Sequence, residues 1–242
     1  MLALGRVAAV QNRMHRSAIS TIALCVAVAA LAGGFFAYRS LRGQVLDLRA
    51  EIARKLPGPE AGHLHTDIRL WMIKSQISRV ESPIIVMGDS IVEAAILPSE
   101  IGGHPVINAG VGGATIGFFE AYAAMFAEVT TPALIVLSVG INDAQPNRME
   151  SFRSEYLATL ALLKVPVAVV TVTPSKNTAV DLGTVDQFNQ FIKSLAGSYS
   201  VIDVSKDMNA SMTVDGIHLN QDGYRIWGRA VIQGIEEKLS QP

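Results

Sequence analysis

The sequence predicts an α/β domain of three layers, α/β/α, in which helices cover both faces of a flavodoxin-like parallel sheet of five strands. Three observations lead there: short continuous apolar runs recur along the chain, amphipathic stretches lie between them, and turn-forming residues close each run. The runs are Ile84–Met87, Val106–Asn108, Ala133–Leu137, Val165–Val172 and Val201–Val204. They are rich in β-branched residues and apolar on both sides, as strands buried on both faces must be. Helical spacing marks Phe118–Glu128, Glu150–Leu163 and Val185–Leu195, and a last segment after Asn220 carries Tyr224, Ile226, Trp227, Val231, Ile232 and Ile235. Right-handed crossovers would join these strands, and ligands of such sheets bind beyond the strands' carboxyl ends.

Bulk composition narrows the function. A chain of 242 residues suits one domain plus an appendage. Twenty basic and 21 acidic side chains leave a formal charge of −1, so no field of one sign gathers nucleic acid. Cys25 is the single cysteine, which excludes an intrachain disulfide and a Cys-rich metal site.

The N-terminus decides the address. Residues 1–17 read as a cytoplasmic segment and 18–38 as a transmembrane anchor, because no charge falls from Ser17 to Tyr38 and about 20 apolar residues cross a bilayer. Arg6, Arg13 and Arg16 precede the span, which favours a cytoplasmic N-terminus and an exported domain, periplasmic or extracellular. A cleaved signal peptide competes, since Ala30-Leu31-Ala32 resembles a cleavage site, and secretion would follow; a buried helix of the domain ranks last. Residues 39–64 read as an amphipathic stalk and linker. Leu41, Val45, Leu48 and Ile52 form a short seam that could self-associate weakly or lie along a surface, and Leu56–Pro59 breaks helix. His63 and His65 read as solvated linker residues, with too few further ligands nearby for a metal. The domain proper is placed at 65–242.

Four polar blocks follow the strands: Gly88-Asp89-Ser90, then Asn108 to Thr115 with Gly110, Gly112 and Gly113, then Gly140-Ile141-Asn142-Asp143, then Asp215-Gly216-Ile217-His218. Each has a plain structural reading as a helix cap, a glycine turn or a loop. Together they supply the parts of acyl transfer. A serine hydroxyl needs a base to take its proton, and His218 is the one histidine placed in such a loop. Asp215, three residues earlier, can accept the imidazole Nδ1 hydrogen and so orient the base. The tetrahedral intermediate needs converging donors, which the backbone N–H groups of Ser90 and Gly113 and the amide of Asn142 could supply.

These blocks resemble the four sequence blocks of the GDSL/SGNH hydrolases, over roughly Ser82 to Lys238. Ile91 stands where the family often has Leu, and Leu219 where it often has Pro. The resemblance implies the SGNH fold, with Ser90 as nucleophile, Asp215 and His218 as its dyad, and Ser90, Gly113 and Asn142 as the oxyanion hole. It also implies esterase, lipase, thioesterase or deacetylase activity without metal or organic cofactor. The expected function is a membrane-anchored, exported carboxylic ester hydrolase acting through an acyl-enzyme on a small-molecule ester, a lipid or an acylated glycan. The alternatives are an acyltransferase or deacetylase of envelope glycan or lipid, and a catalytically silent binding protein of the same fold. A nucleotide-binding reading fails, because the glycines do not give G-x-G-x-x-G and no Walker motif is present. Phe118, Phe119, Tyr122 and Phe126 read as core, with an acyl pocket as the competing use.

Overall fold

The structure, a computed structural model, describes residues 58–129 and 131–241, together with 38, 39, 41, 42 and 44. Backbone contacts separate residues 1–62 from a compact unit spanning His63–Pro242, which holds the sheet. Among the described residues no helix is long and apolar enough to cross a membrane. The expected span, 18–38, lies outside the described residues except for Tyr38, and the expected seam at 41–52 is described only at helical residues 41, 42 and 44.

One expectation is corrected at the start of the domain. Leu56–Pro59 reads as a helix-breaking linker, yet helix α1 runs from Gly58 to Ile77. Pro59 falls in the first turn, where a backbone N–H has no intrahelical acceptor to lose, so proline there opens a helix. Leu70, Ile73 and Ile77 of α1 are buried in the core. His65 therefore sits on a helix and not in a solvated loop.

Six strands follow among the described residues: β1 (Ile84–Gly88), β2 (Glu100–Ile101), β3 (His104–Gly110), β4 (Leu134–Ser138), β5 (Val167–Val170) and β6 (Ser200–Ile202). They form one sheet in the order β2-β3-β1-β4-β5-β6. The five expected runs are its parallel strands. The sixth strand corrects the expected count: β2 pairs antiparallel with β3 at the edge. Its turn, Gly102-Gly103, has both φ angles positive, 60° and 83°, which glycine adopts without strain.

Among the described residues, five more α-helices complete the layers: α2 (Ser90–Glu93), α3 (Ile116–Val129), α4 (Met149–Leu162), α5 (Leu182–Ser194) and α6 (Gln221–Leu239). Every residue of β1, β4 and β5 is buried, so both sheet faces must be covered. Helices α3, α4 and α5 pack side by side in one layer. There Phe152 of α4 stacks on Phe188 of α5 with ring centroids 3.7 Å apart, and Tyr156 meets Phe191 edge-on at 5.6 Å. Helix α6 lies against β4, β5 and β6, burying Trp227, Val231 and Ile235 at one-turn intervals. Asn220 caps it by accepting from the Gly223 N–H at 3.0 Å.

The register places three strand ends at one level, with Gly88 opposite both Gly110 and Ser138. A side chain cannot stand at either glycine. A Cβ on Gly88 would lie 2.3 Å from the Ser138 carbonyl oxygen, and one on Gly110 would lie 2.1 Å from the Glu93 nitrogen. That close approach lets α2 begin directly where β1 ends.

Candidate active site

Asp89 connects β1 to α2 and is almost wholly buried. Its Oδ1 accepts the Ile91 N–H at 2.9 Å, so the capping role open to either residue of this turn belongs to Asp89. Burial pushes its carboxyl up to about 7, against the pull of that hydrogen bond. Ser90, the first residue of α2, keeps its hydroxyl free of capping duty.

His218 meets that hydroxyl. Its Nε2 lies 2.9 Å from Ser90 Oγ, across 128 residues of sequence. Its Nδ1 lies 2.6 Å from Asp215 Oδ2. A carboxylate can only accept, so Nδ1 carries the hydrogen and Nε2 presents a lone pair to the serine O–H. The second carboxylate oxygen of Asp215 accepts backbone N–H groups from His218 at 2.8 Å and Ile217 at 3.0 Å. The His218 hydrogen bond first, and the two backbone bonds after it, hold the Asp215 carboxyl far below the usual range. Both side chains face solvent, with relative exposures of 42% for His218 and 52% for Asp215.

The loop carrying this pair is braced by residues that sequence reasoning passed over. Gly216 has φ 95°, and its carbonyl accepts from Ser175 Oγ at 2.6 Å and from the Lys176 N–H at 3.0 Å. Asn177 Nδ2 donates to the Asp215 carbonyl at 3.4 Å. These residues follow β5, in a segment whose Thr-Pro-Ser-Lys-Asn composition looks like any turn. Tyr224, likewise, belongs in the sequence to an apolar helix face. Its O–H donates to the Ile91 carbonyl at 3.0 Å, tying α6 to the helix that carries Ser90, and burial raises its phenol to about 12.

The second and third blocks meet beside this group. Val111 to Ala114 form a turn closed by the Ala114 N–H on the Val111 carbonyl at 3.0 Å, with Gly113 at φ 76°. Val111 is itself tied back to the Gly88 carbonyl at 2.8 Å. Asn142 Nδ2 donates to the Ala114 carbonyl at 2.9 Å, which spends one amide hydrogen and leaves the other. Asp143 Oδ2 accepts the Ile116 N–H at 3.0 Å, and burial pushes its carboxyl up to about 6 despite nearby Arg148. The Gly113 N–H has no intramolecular acceptor among the described residues. Ser90, Asp215 and His218 are thus joined by direct hydrogen bonds, while Asn142, in the loop after β4, is tied to the turn after β3 that holds Gly113, with β1 between those two strands. Asn108 is structural: its Nδ2 donates to the Val92 carbonyl at 2.7 Å, and its Oδ1 accepts the Gly110 N–H at 3.0 Å. Phe119 and Phe126 are buried core, as their spacing predicts, and Tyr122 is the exposed member of the stripe.

Comparison with known proteins gives a family and a fold. The model of the GDSL-like Lipase/Acylhydrolase family matches residues 86–226. No curated protein matches. Solved structures with the same fold include a GDSL-like lipase from Bacteroides thetaiotaomicron, at TM-score 0.56 and 18% identity over 69% of this chain and 96% of that one. The lipase/acylhydrolase from Enterococcus faecalis aligns at 0.56 and 20%, over 66% of this chain and 100% of its own. An acetyl xylan esterase aligns at 0.54 and 21%, over 63% and 99%. At such identities the likeness is one of fold.

Proposed function

Because this chain belongs to the GDSL-like lipase/acylhydrolase family, we propose that it hydrolyses carboxylic esters through Ser90, with His218 as its base and Asp215 as the residue that orients the base. The observation that carries the reading is the pair of contacts on one imidazole, 2.9 Å to Ser90 Oγ and 2.6 Å to Asp215. In the first step His218 Nε2 takes the serine proton as Oγ attacks the carbonyl carbon, and the carbonyl oxygen becomes an oxyanion. The Ser90 and Gly113 N–H groups and the second amide hydrogen of Asn142 receive that charge. The imidazolium then gives its proton to the leaving alkoxide. Water, activated by the same histidine, attacks the acyl-enzyme and regenerates Ser90.

A fluorophosphonate probe tests the assignment. It is expected to attach at Ser90, identified by peptide mass; an unlabelled chain, or a label elsewhere, removes the reading in favour of a silent binding protein. Turnover is expected to rise with pH, since only the neutral ring of His218 accepts the serine proton. Asp215 stays ionised throughout that rise, because its carboxyl is held below the usual range and loses charge only at lower pH. A pH–rate profile that falls with rising pH contradicts this base. Asn142→Ala is expected to lower kcat by about 10²–10³-fold with KM little changed, read by steady-state kinetics.

The substrate we favour carries a short acyl group on a large carrier, such as an acetylated glycan. The solvent-facing His218–Asp215 pair supports a site open to a bulky leaving group, and burial of Phe119 and Phe126 removes two of the four aromatic candidates for an acyl-tail channel. Fold likeness to an acetyl xylan esterase points the same way. The apolar stretch 18–38 is proposed as the anchor that holds the domain on the outer side of a membrane.

A further inference from the structure

Gly112 and Gly113 are the one part of the Val111–Ala114 turn without side chains, and a Cβ at Gly113 would meet nothing within 4 Å. Both ends of the turn are fixed, Val111 on the Gly88 carbonyl and Ala114 by Asn142. The peptide between the two glycines carries the Gly113 N–H. Two adjacent glycines populate several turn types, so this peptide can rotate and turn its N–H away unless something holds it. Glu93 limits that rotation from the neighbouring peptide: its Oε2 accepts the Gly112 N–H, which fixes the Val111–Gly112 plane from which the Gly113 peptide departs.

Glu93 is the last residue of α2, the four-residue helix that Ser90 opens. The contact therefore couples the nucleophile's own helix to the turn. The Glu93 carboxylate is in turn flanked by α1. His65 Nε2 lies 3.2 Å from Oε1 and 3.3 Å from Oε2, and Arg69 Nε lies 3.8 Å from Oε1. Arg69 is braced by the strand end: Nε donates to the Gly110 carbonyl at 2.7 Å, and Nη2 donates to the carbonyl and Oδ1 of Asn108, each at 2.9 Å. Burial lowers the guanidinium's pKa and Glu93 opposes that shift. Helix α1 lies before residue 86, where the family match begins.

We propose that Glu93 is a positioning residue that ties the helix carrying Ser90 to the Gly112–Gly113 turn, and that Arg69 and His65 of α1 hold its carboxylate there. Glu93 touches no reacting atom. It sets the distance between nucleophile and oxyanion donor, so it acts on the transition state more than on substrate binding. This rests on Gly113 N–H being an oxyanion donor, as the proposed function has it.

The test compares full-length wild type, Glu93→Gln, Glu93→Asp and Glu93→Ala in kcat, KM and thermal midpoint, with Ser90→Ala alongside. Gln keeps an acceptor oxygen at the same reach and is expected within about threefold of wild type. Asp withdraws the oxygen by one methylene while keeping the charge, and Ala removes it. Both are expected to lose about 10- to 100-fold in kcat with KM changed less than about threefold, the size of a displacement near 1 Å. Glu93→Asp keeps the measurement decisive where Glu93→Ala does not fold. The Glu93→Ala/Asn142→Ala double variant is expected to lose less than the product of the single losses, because both act on one oxyanion. Turnover of Glu93→Asp within twofold of wild type, or multiplicative losses in the cycle, overturns the proposal. A wild type that labels at Ser90 in such an experiment leaves the triad standing on its own, whereas one that neither labels nor turns over overturns both.

Discussion

Ser90→Ala is expected to lower kcat for a short-chain aryl ester by about 10⁵–10⁶-fold while the fold is retained. The size follows from what is removed. Without Oγ no acyl-enzyme forms, and His218 is left to activate water at a site arranged for a tethered nucleophile. A residue of catalysis survives, on the order of 10³-fold over water, because the Ser90 and Gly113 N–H groups are backbone and outlast the substitution. Stability is expected to move by less than about 1 kcal/mol, since the hydroxyl's hydrogen-bond partner is His218, which faces solvent and finds water instead. Asp89 still caps α2, and alanine favours helix. Steady-state kinetics with a thermal melt on the same sample checks both halves. Turnover equal to wild type, in a variant that melts normally, sinks the nucleophile assignment.

The reasons that Ser90, Asp215 and His218 are legible in the sequence differ from the reasons that Glu93 and Tyr224 are not. The parallel strands read as runs because burial on both faces demands apolar residues at every position, as in β1, β4 and β5. Ligand chemistry collects at strand ends in such a sheet, so four polar blocks could be placed on one rim without knowing the strand order. Asp215 and His218 are three residues apart, which makes their pairing local; the 128-residue contact to Ser90 followed only from the role each had to play. Glu93, Arg69, Ser175 and Tyr224 act through contacts between distant elements, and each looks ordinary where it stands. Tyr224 shares its face with Trp227 and Val231, and no spacing separates an aromatic that braces α2 from one that fills the core. Helix α1 is hidden in the sequence because Pro59 looks like a breaker, whereas its position in the first turn makes it an opener. Strand β2 does leave a signal in the sequence, since Gly102-Gly103 between Ile101 and His104 is a hairpin turn in composition.

Asp215→Asn is expected to cost about 10²–10⁴-fold in kcat, and to do at least as much damage as Asp215→Ala. The reason lies in the second oxygen. Asp215 Oδ1 accepts two backbone N–H groups, from Ile217 and His218, while Oδ2 faces His218 Nδ1. An asparagine in this place keeps its carbonyl oxygen on the two donors, because its NH₂ cannot accept from them. Its NH₂ then faces Nδ1 and donates to it, which forces the imidazole hydrogen onto Nε2. A protonated Nε2 cannot take the Ser90 proton, so the base is present, correctly placed and in the wrong tautomer. Alanine imposes no tautomer: with His218 at 42% exposure, water can accept the Nδ1 hydrogen and part of the population keeps a basic Nε2. The same exposure is why the loss for asparagine is placed below that of a wholly buried triad aspartate. Both variants should still take up the fluorophosphonate at Ser90, more slowly than wild type and with asparagine the slower. Kinetics in which Asp215→Asn outruns Asp215→Ala would show that Asp215 serves mainly as a negative charge, and that tautomer control at His218 comes from elsewhere in the site.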